Sequence, residues 1–166
     1  MRRQHGLTIV ECLIAMTILS IVVLVTSHTL VAGHQHVQYG DRIAAAARMA
    51  RDMLEEVASR DYRDDTTPLN FGPEVGEARA QFDDVDDYNG FAEAAGALQD
   101  FAGNLYPDHD QFFSRTVAVT ATTQTVAFTG PVPQTRDFAG LRVVVTIRDA
   151  NGQEWQFSRF IPEPGL

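Results

Sequence analysis

The most constraining feature of this chain is the run LTIVECLIAMTILSIVVLVTSHTLVA at residues 7–32. From Cys12 to Ala32 it holds 21 residues with no formal charge except a conditional one on His28. As an α-helix, rising about 1.5 Å per residue, that stretch reaches about 30 Å, the thickness of a hydrocarbon core. Arg2 and Arg3 precede the run, and nothing basic other than histidine follows until Arg42. That asymmetry predicts an N-terminus inside and the remainder outside. Thr17, Ser20, Thr26, Ser27 and Thr29 interrupt the oil. Such hydroxyls bond back to a carbonyl one turn earlier or across to a neighbouring helix. One carboxylate, Glu11, sits just inside the apolar part. A carboxylate costs about 2.5–3.5 kcal/mol at the bilayer centre and less near its edge, so its presence calls for a use.

The helical pattern continues past the apolar run. Ile43, Ala47, Ala50, Leu54 and Val57 recur at spacings of four and three, one stripe of an amphipathic helix. Arg48 with Asp52, Arg51 with Glu55 and Glu56 with Arg60 are i,i+4 pairs of opposite charge on the wet side. No proline occurs before Pro68, and Gly33 and Gly40 are the only weak points. One nearly continuous helix from about residue 7 to about residue 60 is expected. Residues 61–110 are rich in Asp, Gly and Pro with little periodicity, an acidic loop region with a short helix expected at 91–99 (FAEAAGALQ).

The C-terminal part, 111–166, has strand patterns. Residues 116–122 (TVAVTAT) alternate, residues 125–129 (TVAFT) follow, and residues 141–148 (LRVVVTIR) put Leu141, Val143, Val145 and Ile147 on one face. Asp149-Ala150-Asn151-Gly152 is a turn signal. Residues 154–161 then return, with Trp155, Phe157 and Arg159 on one face and Phe160 opposite. The last two strands form an antiparallel hairpin, and the helix stripe covers one face of the sheet. The fold class is therefore α+β: a long N-terminal helix, apolar and membrane-embedded in its first half, packed on a C-terminal antiparallel sheet.

Charge narrows the function. The 166 residues carry a net charge of −9 and no lysine. That argues against nucleic-acid contact, which draws on clustered cations. With one cysteine, Cys12, no internal disulfide forms.

Arg2-Arg3, then Gly6-Leu7-Thr8-Ile9-Val10-Glu11, then the apolar run, resembles the prepilin motif of type IV pilins and pseudopilins. Leu7 stands where that family usually has Phe. The tracts LEEVASRDYRDD (54–65) and FDDVDDYNG (82–90) further resemble minor pilin-like subunits, including those of the mannose-sensitive haemagglutinin type. The resemblance implies a leader peptide at 1–6, cleavage between Gly6 and Leu7 by prepilin peptidase, and N-methylation of the new Leu7 amine. It implies a transmembrane and assembly helix at 7–33 and its amphipathic continuation at 34–60, with 34–166 as the globular headgroup. It implies a single-pass inner-membrane protein, headgroup periplasmic, that passes into a pilus or pseudopilus. Its partners are then other pilin or pseudopilin subunits, the peptidase and an inner-membrane assembly platform, with an ATPase elsewhere supplying the work. Glu11 would pair with the Leu7 amine of a neighbouring subunit and set register, because an unpaired buried charge is far costlier than a paired one. Other readings stay open. These are a pseudopilin of a type II secretion system, an uncleaved membrane-anchored periplasmic binding module, and a secretory signal peptide with a poor cleavage site at Val31-Ala32-Gly33.

Asp83, Asp84, Asp86, Asp87, Asn89 and Gly90 form the one metal candidate. Oxygen donors at alternate positions before a glycine suit calcium, with Asp84, Asp86 and Asn89 as ligands. The pattern is not an EF-hand, since the twelfth position from Asp84 is Ala95. A solvated acidic loop is the alternative. No cofactor other than calcium is expected. His34 and His36 are too close in sequence to share a helix face, and His109 lies between Asp108 and Asp110 as in a loop. No nucleophile, metalloprotease or phosphate-loop motif is present, so no enzyme is expected.

Overall fold

The computed structural model describes residues 8–62, 71–129 and 134–165. A single helix, α1 (Ile9–Ala58), runs for 50 residues, and neither Gly33 nor Gly40 breaks it. Without proline, every interior N–H can reach the carbonyl one turn back. Single 3-10 turns follow at Arg79–Gln81, Asp86–Tyr88 and Asp108–Asp110. The strands are β1 (Ala92–Glu93), β2 (Ser114–Phe128), β3 (Gln134–Arg148) and β4 (Glu154–Pro162). They form one sheet in the order β1-β2-β3-β4, antiparallel throughout. The α+β class is as expected.

The chain divides into two units, Met1–Arg42 and Ile43–Leu166. In the first, every described residue from 8 to 41 is exposed. In the second, the end of α1 packs on the sheet. Ala46, Met49, Ala50, Met53 and Val57 are fully buried against Val117, Val119, Leu141, Val143, Val145 and Ile147. Full burial of such side chains contributes about 1.5–3 kcal/mol each for the larger ones. The buried face is wider than the stripe expected from sequence and turned toward Ala46, Met49 and Met53. Ala50 and Val57 lie in it, while Ile43, Ala47 and Leu54 are half-buried at its edge.

The register places Val117 opposite Val145, Val119 opposite Val143, Val145 opposite Phe157 and Ile147 opposite Trp155. Trp155, Phe157 and Ile161 pack half-buried against the core, as strand spacing implied. The two short strands expected at 116–122 and 125–129 are one, because Thr123 and Gln124 continue the ladder opposite Ala139 and Phe138. β3 starts earlier than residue 141 for the same reason. The turn into β4 is built as expected: Gly152 has φ +82°, and Asp149 Oδ1 accepts the N–H groups of Asn151 and Gln153 at 2.8 and 2.9 Å. Gly140 is needed for another reason, since a Cβ there would lie 2.4 Å from the Ile161 carbonyl oxygen and 2.6 Å from the Phe160 ring.

Two expectations for 61–110 are corrected. No helix forms at 91–99. Ala92 and Glu93 instead pair with Thr116 and Arg115 as β1, and Gly96 turns the chain at φ +86°. Nor is the region only a surface loop, because Phe82, Val85, Tyr88, Leu98 and Tyr106 are buried in the core. Phe82, Tyr88 and Phe91 meet edge to face at 5.0–6.2 Å between centroids, a geometry the ring quadrupoles favour.

Candidate functional site

The N-terminal segment comes first. Gly6 and Leu7, the expected processing residues, lie outside the described residues. At Thr8 the backbone N–H donates to Glu11 Oε2 at 2.8 Å and the hydroxyl donates to the same oxygen at 3.0 Å. The Glu11 N–H donates in return to Thr8 Oγ1 at 3.3 Å. Thr8 is thus the N-cap of α1 and Glu11 its third residue, a reciprocal capping box. The signal was in the sequence as Thr8-x-x-Glu11 ahead of an apolar run. Register between subunits was the role expected for Glu11; within the chain it closes the cap.

Beyond the cap, the helix satisfies itself. Ser20, Thr26, Ser27 and Thr29 donate to the carbonyls of Met16, Val22, Val23 and Val25 at 2.7–2.8 Å, and Thr17 donates to Ile14 at 2.8 Å. Of the two arrangements open to these hydroxyls, the structure has the bond to the preceding turn. That leaves an outer surface of Ile, Leu and Val with its polar atoms already engaged, which suits hydrocarbon or other apolar helices. The helix is long and apolar enough to cross a membrane.

The second unit holds a buried charge network that local pairing rules missed. Glu56 was expected on the wet side with Arg60, yet it is only 4% exposed. Its Oε1 accepts from Arg79 Nε at 2.9 Å and from the Tyr88 hydroxyl at 3.0 Å. Arg79 Nη1 also donates to Glu93 Oε1 at 2.9 Å, and Arg115 Nε donates to Glu93 Oε2 at 2.7 Å. Arg115, 1% exposed, further donates to the Met49 carbonyl at 3.1 Å and the Gln99 carbonyl at 2.8 Å. Two acids and two arginines therefore tie α1, the loop, β1 and β2 together. Burial works to lower the Arg79 pKa, but Glu56 and Glu93 outweigh it and hold it above the ordinary arginine range. Burial, assisted by Glu56, pushes Tyr88 up to about 12. Arg48 likewise pairs with buried Asp110 rather than with Asp52, whose carboxylate accepts from the Tyr106 hydroxyl at 2.8 Å. Arg51 with Glu55, at 2.8 Å, is the expected local pair that does form. This network is structural, since its donors and acceptors are spent on one another.

The acidic loop is more compact than the sequence suggested. Asp84, Asp86 and Asp87 are buried. Asp84 Oδ1 accepts the N–H groups of Asp86 and Asp87 at 2.9 and 3.1 Å, and Asp87 Oδ2 accepts those of Asp83 and Asp84 at 3.1 and 3.4 Å. Of the three expected ligands, Asp84 and Asp86 meet carboxyl to carboxyl. The Asn89 oxygen instead accepts the Val119 N–H at 3.0 Å and anchors the loop to β2. Burial first, then the charge of Asp84, pushes Asp86 up to about 7. Burial also pushes Asp87 up to about 6.

Comparison with known proteins bears on the first of these regions. No curated protein and no solved structure matches the chain. Residues 1–27 match the family model of the prokaryotic N-terminal methylation motif. Proteins with this motif are structural subunits in general, processed by prepilin peptidase and assembled with other pilins. A capped, self-satisfied apolar helix of membrane length thus starts inside a recognised processing motif, and the chain carries the type IV pilin and pseudopilin signature.

Proposed function

We propose that this chain is a minor pilin-like structural subunit, cleaved between Gly6 and Leu7, N-methylated on Leu7, and assembled into a type IV pilus-like filament. One observation carries the reading: the methylation motif at 1–27 leads directly into a helix on which every residue from 8 to 41 is exposed. Among the described residues, none covers that surface. Lipid covers it before assembly and the helices of other subunits cover it after. Cleavage creates a cationic amine at Leu7, four residues before Glu11, which closes the first turn of α1. Glu11 of one subunit meets the Leu7 amine of the next, and the helices lock in register because a lone buried carboxylate is costly. The protein is not an enzyme in this reading. It waits as a single-pass inner-membrane protein with its N-terminus cytoplasmic.

The intact mass of the protein purified from its own membranes tests this. Loss of residues 1–6 with one added methyl group on Leu7 is expected, and Gly6→Ala should leave the leader in place. An intact Met1 in cells that hold the peptidase would sink the proposal and favour an anchored binding module.

A further inference from the structure

We propose that the outer face of the sheet, opposite the core, binds a carboxylated sugar through Arg142, Phe160, Thr122, Gln124 and Ser158. This inference does not depend on filament assembly. Strand alternation divides the side chains of β2, β3 and β4 between two faces. Val117, Val119, Leu141, Val143, Val145 and Ile147 point into the core. Thr122, Gln124, Arg142, Ser158 and Phe160 have the other parity in the register and point outward. A cavity of about 420 Å³ opens among them, with Thr123 as its remaining wall. That volume lies within the roughly 300–1,000 Å³ of small-ligand pockets.

The polar groups of this cavity are unspent. Elsewhere on the strands such groups are engaged: the Thr125 hydroxyl donates to Asp137, the Ser114 hydroxyl to the Arg148 carbonyl, and the Asn89 oxygen accepts the Val119 N–H. Arg48, Arg51, Arg79, Arg115 and Arg148 hold carboxylates, and Arg60 donates to the Tyr88 hydroxyl. Among the described residues, no hydrogen bond or ion pair engages the side chains of Thr122, Gln124, Arg142 or Ser158. The charge of this face also departs from that of the chain. The chain carries −9, yet across β2, β3 and β4 the outer face has Arg136, Arg142 and Arg148 against one acid, Glu154. Arg148 holds that acid at 3.7 Å, which leaves Arg142 open to an anion from outside.

Phe160 adds an apolar surface. It stands opposite Arg142 in the register, and its ring reaches across Gly140, where a Cβ would come within 2.6 Å of it. The bare backbone at Gly140 thus gives the ring its place on the sheet, half-buried. Each group then selects one part of the ligand. A guanidinium binds a carboxylate through two parallel N–H bonds. A single free guanidinium matches one negative charge, a carboxylate rather than a phosphate dianion. Two hydroxyls and an amide both donate and accept, as the hydroxyls of a sugar do. The negative face of an aromatic ring attracts the polarised C–H groups of a pyranose. An acid, a polyol and an apolar ring face together describe a uronic or sialic acid unit.

The full chain in micelles of a sugar-free detergent should be titrated with sodium glucuronate, with glucose and sodium acetate in parallel, and followed by NMR. Saturable millimolar binding of glucuronate is expected, at least tenfold tighter than either control, with shifts at the Arg142 Nε–H and the Phe160 ring. Arg142→Gln should weaken it at least tenfold and Ser158→Ala about threefold. Both side chains are exposed, and an unchanged circular dichroism spectrum checks the fold of each variant. No saturable binding of glucuronate, equally tight binding of acetate or of glucose, or unchanged binding in both variants would overturn the proposal. Tighter binding of a poly-glutamate peptide, lost in Arg142→Gln, would overturn it in favour of an acidic protein segment as the occupant.

Discussion

The two parts of α1 belong to one continuous helix and are held in opposite ways. From 8 to 41 no side chain is buried, and Ile9 and Leu30 are 81% and 72% exposed. Its Ser20, Thr26, Ser27 and Thr29 hydroxyls are closed by local hydrogen bonds to the preceding turn. From Ile43 to Ala58 the helix buries Met49, Met53 and Val57 completely, and its acid Glu56 bonds to Arg79, 23 residues away. One helix thus shows two stability sources. The first part depends on its own backbone and its surroundings, and the second on the tertiary core. Substitutions placed in each should therefore have different costs.

The largest effect is expected from the buried network. Arg115→Ala leaves Glu93 without one of its two arginines and the Met49 and Gln99 carbonyls without their donor. Breaking a buried pair from one side costs about 3–5 kcal/mol. Urea unfolding of the full chain in micelles, followed by Trp155 fluorescence, should show that loss. Arg51→Ala, which removes an exposed pair on the same helix, should leave the midpoint where it was. Equal shifts from both would mean that the network does not carry the second unit.

A matched pair of insertions sharpens the contrast. Ala50 is fully buried between the helix and the sheet, while Ala15 is exposed. Ala50→Leu should destabilise by about 1–3 kcal/mol, because a close-packed core has no room for three more carbons. Ala15→Leu should leave the unfolding midpoint unchanged and is expected to act only on assembly. A large shift from Ala15→Leu would show that something in the monomer covers the first part after all.

Local signals were readable in the sequence wherever local rules decided the outcome. The apolar run, the helix without proline, the alternating valines of β2 and β3 and the Asp149-Ala150-Asn151-Gly152 turn all depend on near neighbours. The misses are long-range. Glu56 read as a partner for Arg60 because i,i+4 spacing is all a helix shows, yet Arg79 reaches it from the loop. Residues 91–99 read as a helix on their alanines, but Glu93 is held between Arg79 and Arg115, and the turn at Gly96 ends any helical path. Phe82, Val85 and Tyr88 carry no period because they enter the core from a turn. The acidic tract was visible as composition, but which of its oxygens the backbone N–H groups occupy is decided by the turn at Asp86–Tyr88.

The smallest expected effect on stability separates the cap that Glu11 forms from the register role proposed for it. As part of the cap it needs only an oxygen that can accept the Thr8 N–H, and glutamine supplies one. As a register residue it needs a negative charge to meet a cationic amine. Glu11→Gln should therefore keep amide-exchange protection in the first turn of α1 while lowering incorporation into filaments. Thr8→Val does the reverse. It removes the hydroxyl that caps the helix, and protection of the Glu11 amide should fall about fivefold, equivalent to the ~1 kcal/mol an N-cap contributes. The charge stays, so incorporation should fall less than in Glu11→Gln. If both variants lose incorporation equally, the cap positions the carboxylate for its partner and the roles are one. If Glu11→Gln assembles normally, Glu11 belongs to the helix alone.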